Sequence, residues 1–462
     1  MKIKRTICNS LVLLLGLYFY TICFGASEQQ DEAVGIVLDI LKSGDQEMQA
    51  VAIAMVKDMP GTEVTKALVK ELPNLSAASQ VQLLSALSDR GDAAALPAVI
   101  TAVKAEDESV RIAALKAVGQ LGDESSVDLL ARTAAAIRGA EQKAARESLY
   151  RLRGSKVDEA ILAGITKAES KTKVELIKSA GERNISAGVK ILLKTAMDSD
   201  RKVRLESLKV LKVVAGPEHL PAMVELLLNL QSSSDLNEAR KMISAVAHKI
   251  EDKDRQAEAV LAVLPSVKDV KKQCSLLSVL GKIGDRSALP RLREALGSDN
   301  IDRRGAAIRA LAEWPTSEPA ADLMKAAENS ENKVHRILAL RGSVELLGLA
   351  NKRSTEETIT MYKKAMTLAP DADEKKRVLS GLANAKSLDA LQIVTGYFKD
   401  KALLKEAESA VVTIAGSIYE SFPQQTRDVL EKIVQTSKNE VLQKQAQEVI
   451  DKIDGLSKQV EE

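Results

Sequence analysis

Seven glycines, Gly91, Gly122, Gly154, Gly181, Gly216, Gly284 and Gly348, recur at intervals of about 32 residues or twice that, each closing an amphipathic stretch. A unit of that length is one helix pair, which cannot bury its apolar face alone and must stack on its neighbours. The spacing therefore predicts an all-α chain folded as an extended, right-handed α-solenoid. It names no ligand and no reaction.

Composition supports stacking over a globular core. Of 462 residues, 45% are hydrophobic but only 2% aromatic, so Ala, Leu, Val and Ile must fill the interior. Residues 1–25 stand apart: Lys2, Lys4 and Arg5 precede an apolar run from Leu11 to Phe24 that is too short for a comfortable membrane span. This is the pattern of a secretory signal peptide, with Cys23 and Gly25 at the small positions before a cut ahead of Ala26 or Ser27. Acylation of Cys23 is disfavoured by the bulky Ile22. Cleavage leaves residues 26–462 as a repeat array, with no membrane insertion thereafter and a periplasmic or secreted destination.

The whole chain carries 66 basic against 64 acidic residues, a net charge of +2. Removing residues 1–25 takes away three basic and no acidic ones, leaving 63 against 64, or −1. A balanced chain lacks the electrostatic excess on which general nucleic-acid binding rests. Of Cys8, Cys23 and Cys274 only Cys274 survives processing, so no intrachain disulfide is expected. Its place on an apolar face suits a small buried hydrophobe better than a reactive thiol.

From Asp31 to about Asp454 the pattern yields about thirteen helix pairs. GDAAALP (Gly91–Pro97) and GDRSALP (Gly284–Pro290) open first helices, with Gly ending the previous helix and Pro in the first turn. Second helices begin at Asp107, Asp200, Asn300 and Asn332, and four residues later stand Arg111, Arg204, Arg304 and Arg336. Next come a small residue (Ala114, Ser207, Ala307, Ala339) and a large aliphatic one (Leu115, Leu208, Ile308, Leu340), the mark of a seam where helices approach closely. In one such helix Val110, Ala113, Ala114, Ala117, Val118 and Leu121 share a single face. Asp373 and Arg377 repeat the cap-and-arginine spacing, although the aliphatic column slips there. QSSSD (Gln231–Asp235) reads as a polar joint, and His248–Asp254 lacks the glycine turn.

The motifs LGDESS, SALPRL and DESVRIAALKAVGQLG resemble bacterial HEAT-like repeats of the phycobilin-lyase type. That resemblance covers most of the mature chain and implies HEAT-like helix pairs. It says little about function, because such arrays serve many roles. Asn332 to about Lys452 is similar to the C-terminal part of exported bacterial HEAT-repeat proteins, some of them joined to a sugar-active or lectin-like domain. Units from about residue 351 are degenerate, and Tyr362–Ala383 has a tetratricopeptide flavour.

Catalytic apparatus is not visible. Metal-holding enzymes of the HEAT class, such as deoxyhypusine hydroxylase, carry His-Glu dyads, whereas here His219, His248 and His335 fall in distant units with no His-Glu dipeptide. There is no phosphate-binding glycine loop, nucleophile elbow or zincin motif. Trp314 takes a core position, and the remaining mature aromatics do not form a sugar platform. The expectation is a non-enzymatic exported scaffold or adaptor, without cofactor or nucleic acid, that holds a protein or peptide on a concave surface lined by second helices. Alternatives are an accessory subunit of an exported carbohydrate-active or redox enzyme, and a lyase-like cofactor chaperone. The column Asp107/Arg111, Asp200/Arg204, Asn300/Arg304, Asn332/Arg336, Asp373/Arg377 is the candidate site: each arginine pairs with its own cap or the next unit's to build an inter-repeat ladder, or lines a groove for acidic groups.

Overall fold

The amphipathic stretches fold as paired helices. The structure, a computed structural model, describes residues 27–350 and 353–461; the predicted signal peptide lies outside them. Among the described residues there are helices and no strands. Contacts divide the chain into two compact units between Ala215 and Gly216. The first holds six helix pairs, from Ser27–Lys42 with Gln46–Val56 to Val189–Thr195 with Arg201–Val214. The second holds seven, from Leu220–Asn229 with Ser233–Ala247 to Pro423–Thr436 with Glu440–Glu461. Thirteen pairs match the sequence expectation.

Each unit is a two-layer stack. Second helices pack directly on one another: Ala77–Arg90 on Glu108–Leu121 on Ala140–Arg151 in the first unit, and Ser233–Ala247, Val270–Ile283, Ile301–Ala312 and Lys333–Leu347 in the second. First helices form the other layer, as where Val157–Lys167 touches Val127–Ala136 and Val189–Thr195. The repeating small and large positions are buried at this junction: Ala114, Ser207, Ala307 and Ala339, with Leu115, Leu208, Ile308 and Leu340. Ala113 is only half-buried, at the edge of its helix's apolar face.

Local sequence sets the helix ends. Asp107, Asp200, Asn300 and Asn332 all cap second helices, each side chain accepting from free first-turn N–H groups. Gly91 and Gly284 close helices in the left-handed conformation, and the aspartate after each does two jobs. Asp92 caps a short 3₁₀ turn and accepts from Thr65 Oγ1 at 2.7 Å, while Asp285 caps another and accepts from the Ala257 N–H at 2.7 Å. The Gly-Asp motif thus ties a repeat to the first-helix layer of the preceding one. Where the glycine turn is missing, after His248, the first helix shrinks to Glu258–Val263 between two 3₁₀ turns.

Not every glycine of the period ends a helix. Gly181 lies within Ser170–Glu182, and a Cβ there would sit 3.0 Å from Val210 on the next second helix. Close approach explains it, and the same constraint is tightest elsewhere. A Cβ on Gly281 would meet the Ala310 backbone at 2.5 Å, and one on Gly342 would meet Ala312 Cβ at 2.5 Å. Small residues therefore let backbones on both sides of Ile301–Ala312 approach. Gly281→Ala is expected to lower the thermal midpoint, because overpacking costs about 1–3 kcal/mol against the roughly 0.5–1 kcal/mol that alanine contributes in a helix interior. Gly416→Ala, where the nearest atom is Val449 Cγ2 at 3.7 Å, is expected to raise it. Thermal unfolding by circular dichroism checks both signs.

Candidate functional site

The arginines of the second helices build a ladder, but not with the caps. The cap side-chain oxygens are occupied by helix N–H groups, and long side chains lean toward the N-terminal turn, so Arg111 reaches elsewhere. Its Nε and Nη2 donate to Glu141 of the next second helix at 3.0 and 2.5 Å, and Nη1 donates to the Ala105 and Glu106 carbonyls. Arg146 continues the ladder with a two-pronged pair on Glu175, at 2.6 and 2.7 Å. In the second unit Arg341 pairs with Glu374 through Nε at 3.0 Å and through Nη2. The acceptors Glu141, Glu175 and Glu374 are only 5%, 4% and 3% exposed. Burial alone would raise the Glu175 carboxyl, yet hydrogen bonds from Arg146 and Lys178 hold it below its ordinary value.

Other column residues have different fates. Arg204 donates to the Asp198 and Ser199 carbonyls ahead of its own helix. Asp373 is not a cap: the helix Ala372–Leu382 is capped by Asp371, and Asp373 pairs with Lys376. Arg377 sits exposed 3.9 Å from Glu374. Here the repeat slipped by two residues, and Glu374 takes Arg341 of the preceding second helix. Arg90 and Arg183, at second-helix ends, donate to the carbonyls of Val56 and of Tyr150 and Leu152, satisfying helix C-termini one repeat back.

Two steps depart from this pattern: Arg240 reaches Ser275 Oγ at 3.0 Å in place of an acid, with its Nε buried and unpartnered, and the step after Ile301–Ala312 differs further. On Ile301–Ala312, Arg304 occupies the position of Arg111, four residues after its cap, and Arg309 the position of Arg341, nine after. The residue facing them, at the place of Glu374 three after its cap, is His335. Among the described residues no ion pair joins Arg304, Arg309 or the exposed Arg336 to an acid. The Arg304 Nε and the His335 Nδ1 are buried without a hydrogen-bond partner. Burial first, then the charges of Arg304 and Arg309, push His335 below its usual value, with Asp302 opposing.

The remaining candidates are structural. Cys274 is half-buried rather than fully enclosed, and burial pushes its thiol up, away from thiolate chemistry. Trp314 is in the core. His219 lies beside Glu218, and His248 contacts the Ile283 carbonyl at 2.8 Å. Among the described residues no three His, Cys, Asp or Glu side chains gather as a metal site, and no helix is long and apolar enough to cross a membrane. A cleft of about 230 Å³ beside the shortened first helix is lined by Leu264, Pro265, Leu277 and Arg303.

Comparison with known proteins agrees with the stacked-helix architecture. Residues 65–149 and 257–342 match the family model of HEAT repeats. The chain is similar to the solved structure of Kap121p bound to Pho4p, at 10% identity and a TM-score of 0.54, over 93% of this chain and 54% of that one. The karyopherin Kap121p bound to the SUMO protease Ulp1p gives 10% identity and a TM-score of 0.55, over 92% and 53%. The chain therefore spans about half the length of Kap121p, and the likeness establishes an α-solenoid fold. No curated protein sequence matches it.

The buried rung yields a prediction with a defined sign. Because the folded Glu175 carboxyl is depressed, its stabilisation is fully present above the unfolded value near 4.5 and is lost as pH falls through the lower folded value. Glu175→Gln should cost about 1–3 kcal/mol at neutral pH, leaving Arg146 without its partner. Its melting temperature should also fall less than the parent's between about pH 5 and pH 3. Parallel acid melts of the two proteins measure this.

Proposed function

We propose that the protein is an exported, non-enzymatic scaffold that holds a protein or peptide partner along the second-helix layer. The observation that carries this reading is the interrupted ladder: a layer in which Arg111, Arg146 and Arg341 pair with buried glutamates presents, on Ile301–Ala312, cationic groups with no ion-paired acid. The exposed aliphatics Ile301 and Val334 lie in the first turns of the same two helices. Solved Kap121p structures hold Pho4p and Ulp1p, which supports protein binding as a use for this architecture. The balanced charge disfavours nucleic acid as the partner, and export rests on the lysine- and arginine-led apolar start of the sequence.

Cross-linking mass spectrometry in the intact cell envelope tests the reading. A single partner species is expected, linked through second-helix lysines such as Lys116, Lys209 and Lys241 rather than through Lys190 and Lys325 of the first helices. Self-links alone, or a hydrolytic turnover of the purified chain, would contradict it. N-terminal sequencing of the exported protein should begin at Ala26 or Ser27.

A further inference from the structure

We infer that the step between Ile301–Ala312 and Lys333–Leu347 is a carboxylate-binding site, and that its occupant is an acidic side chain of a peptide segment in the partner protein. This deepens the scaffold reading and rests on it only for the occupant's source. In the step from Lys333–Leu347 to Ala372–Leu382, Arg341 is neutralised by Glu374. At the preceding step the equivalent acid is His335, 6% exposed, with one ring nitrogen buried and unpartnered.

The geometry sets two donors side by side. His335 Nε2 and Arg309 Nη1 lie 2.8 and 3.2 Å from the point where a Cβ on Gly305 would sit, so the two nitrogens are at most 6.0 Å apart. Two donors within that span can be bridged by one carboxylate at ordinary hydrogen-bond lengths. Both nitrogens crowd the bare Gly305 Cα more closely than a side-chain carbon would allow, so a carboxylate takes them on the side away from that glycine. Arg304 adds a second guanidinium whose Nε has no partner. Asp302 is close enough to influence His335, but it is exposed and makes no ion pair with Arg304 or Arg309. Ile301 and Val334, 48% and 59% exposed, offer apolar contact beside the charges. A peptide mixing acidic and aliphatic residues uses both features, whereas a phosphate polymer uses only one.

The test uses the full chain and fluorescein-labelled hexaglutamate, followed by fluorescence anisotropy. Saturable binding is expected, weakened about tenfold or more by Arg304→Gln or Arg309→Gln and by Gly305→Ala. His335→Glu supplies the ladder acid from within, so it should abolish peptide binding while raising the thermal midpoint. Arg146→Gln, which breaks a filled rung, should lower the midpoint and leave binding unchanged. The inference is overturned if the parent fails to bind, if these variants bind like the parent, or if His335→Glu lowers the midpoint and still binds. It is equally overturned if hexathymidylate or inorganic phosphate binds as well and is lost in the same variants. Hexaglutamate binding without any cross-linked partner would leave the site and sink the scaffold; a cross-linked partner indifferent to all four variants would do the reverse.

Discussion

Everything in each unit depends on how closely neighbouring second helices approach. At Gly281 the next helix's backbone stands where a side chain would begin, and at Gly342 the neighbour's Cβ does. Packing of this kind needs small residues on one helix and well-fixed aliphatics behind them, which is why aromatic residues are scarce and alanine abundant. Dispersion contacts across such seams are individually small and collectively large, and the buried ion pairs of the ladder add to them.

That seam was legible in the sequence because it repeats. The small-then-large pair after each cap and the Gly-Asp openings marked both helices of a unit, and the caps at Asp107, Asp200, Asn300 and Asn332 are where the pattern put them. Gly181 shows the limit of reading glycine as punctuation. In a stacked array glycine also serves inside helices, and a single sequence does not separate a turn that needs a left-handed residue from a contact that needs no side chain. Asp373 was misplaced for a related reason: once the aliphatic column slips, spacing from the arginine no longer locates the cap.

The ladder was only half legible. Spacing within one helix revealed Arg111 and Arg304 but not the acceptor of Arg111, Glu141, which lies 30 residues away on the next helix. Arg146 and Arg341 were missed because they stand at other turns of theirs. A signal did exist: Glu141, Glu175 and Glu374 occupy positions that an apolar column would otherwise fill, and a buried glutamate demands a cation within reach. Read that way, His335 stands out as the position where the demand disappears while two arginines remain. Paired rungs fix helix on helix, and the open rung has charge to offer outward.

The central claim is that the acid absent from this one rung is supplied by a bound peptide. A crystal structure of the full chain grown with hexaglutamate tests it most directly. The account predicts a carboxylate between Arg309 and His335, within hydrogen-bond distance of both, with the Arg146–Glu175 rung unchanged. Arg304 and Arg309 turned onto Asp302, with the peptide bound elsewhere or absent, would contradict it.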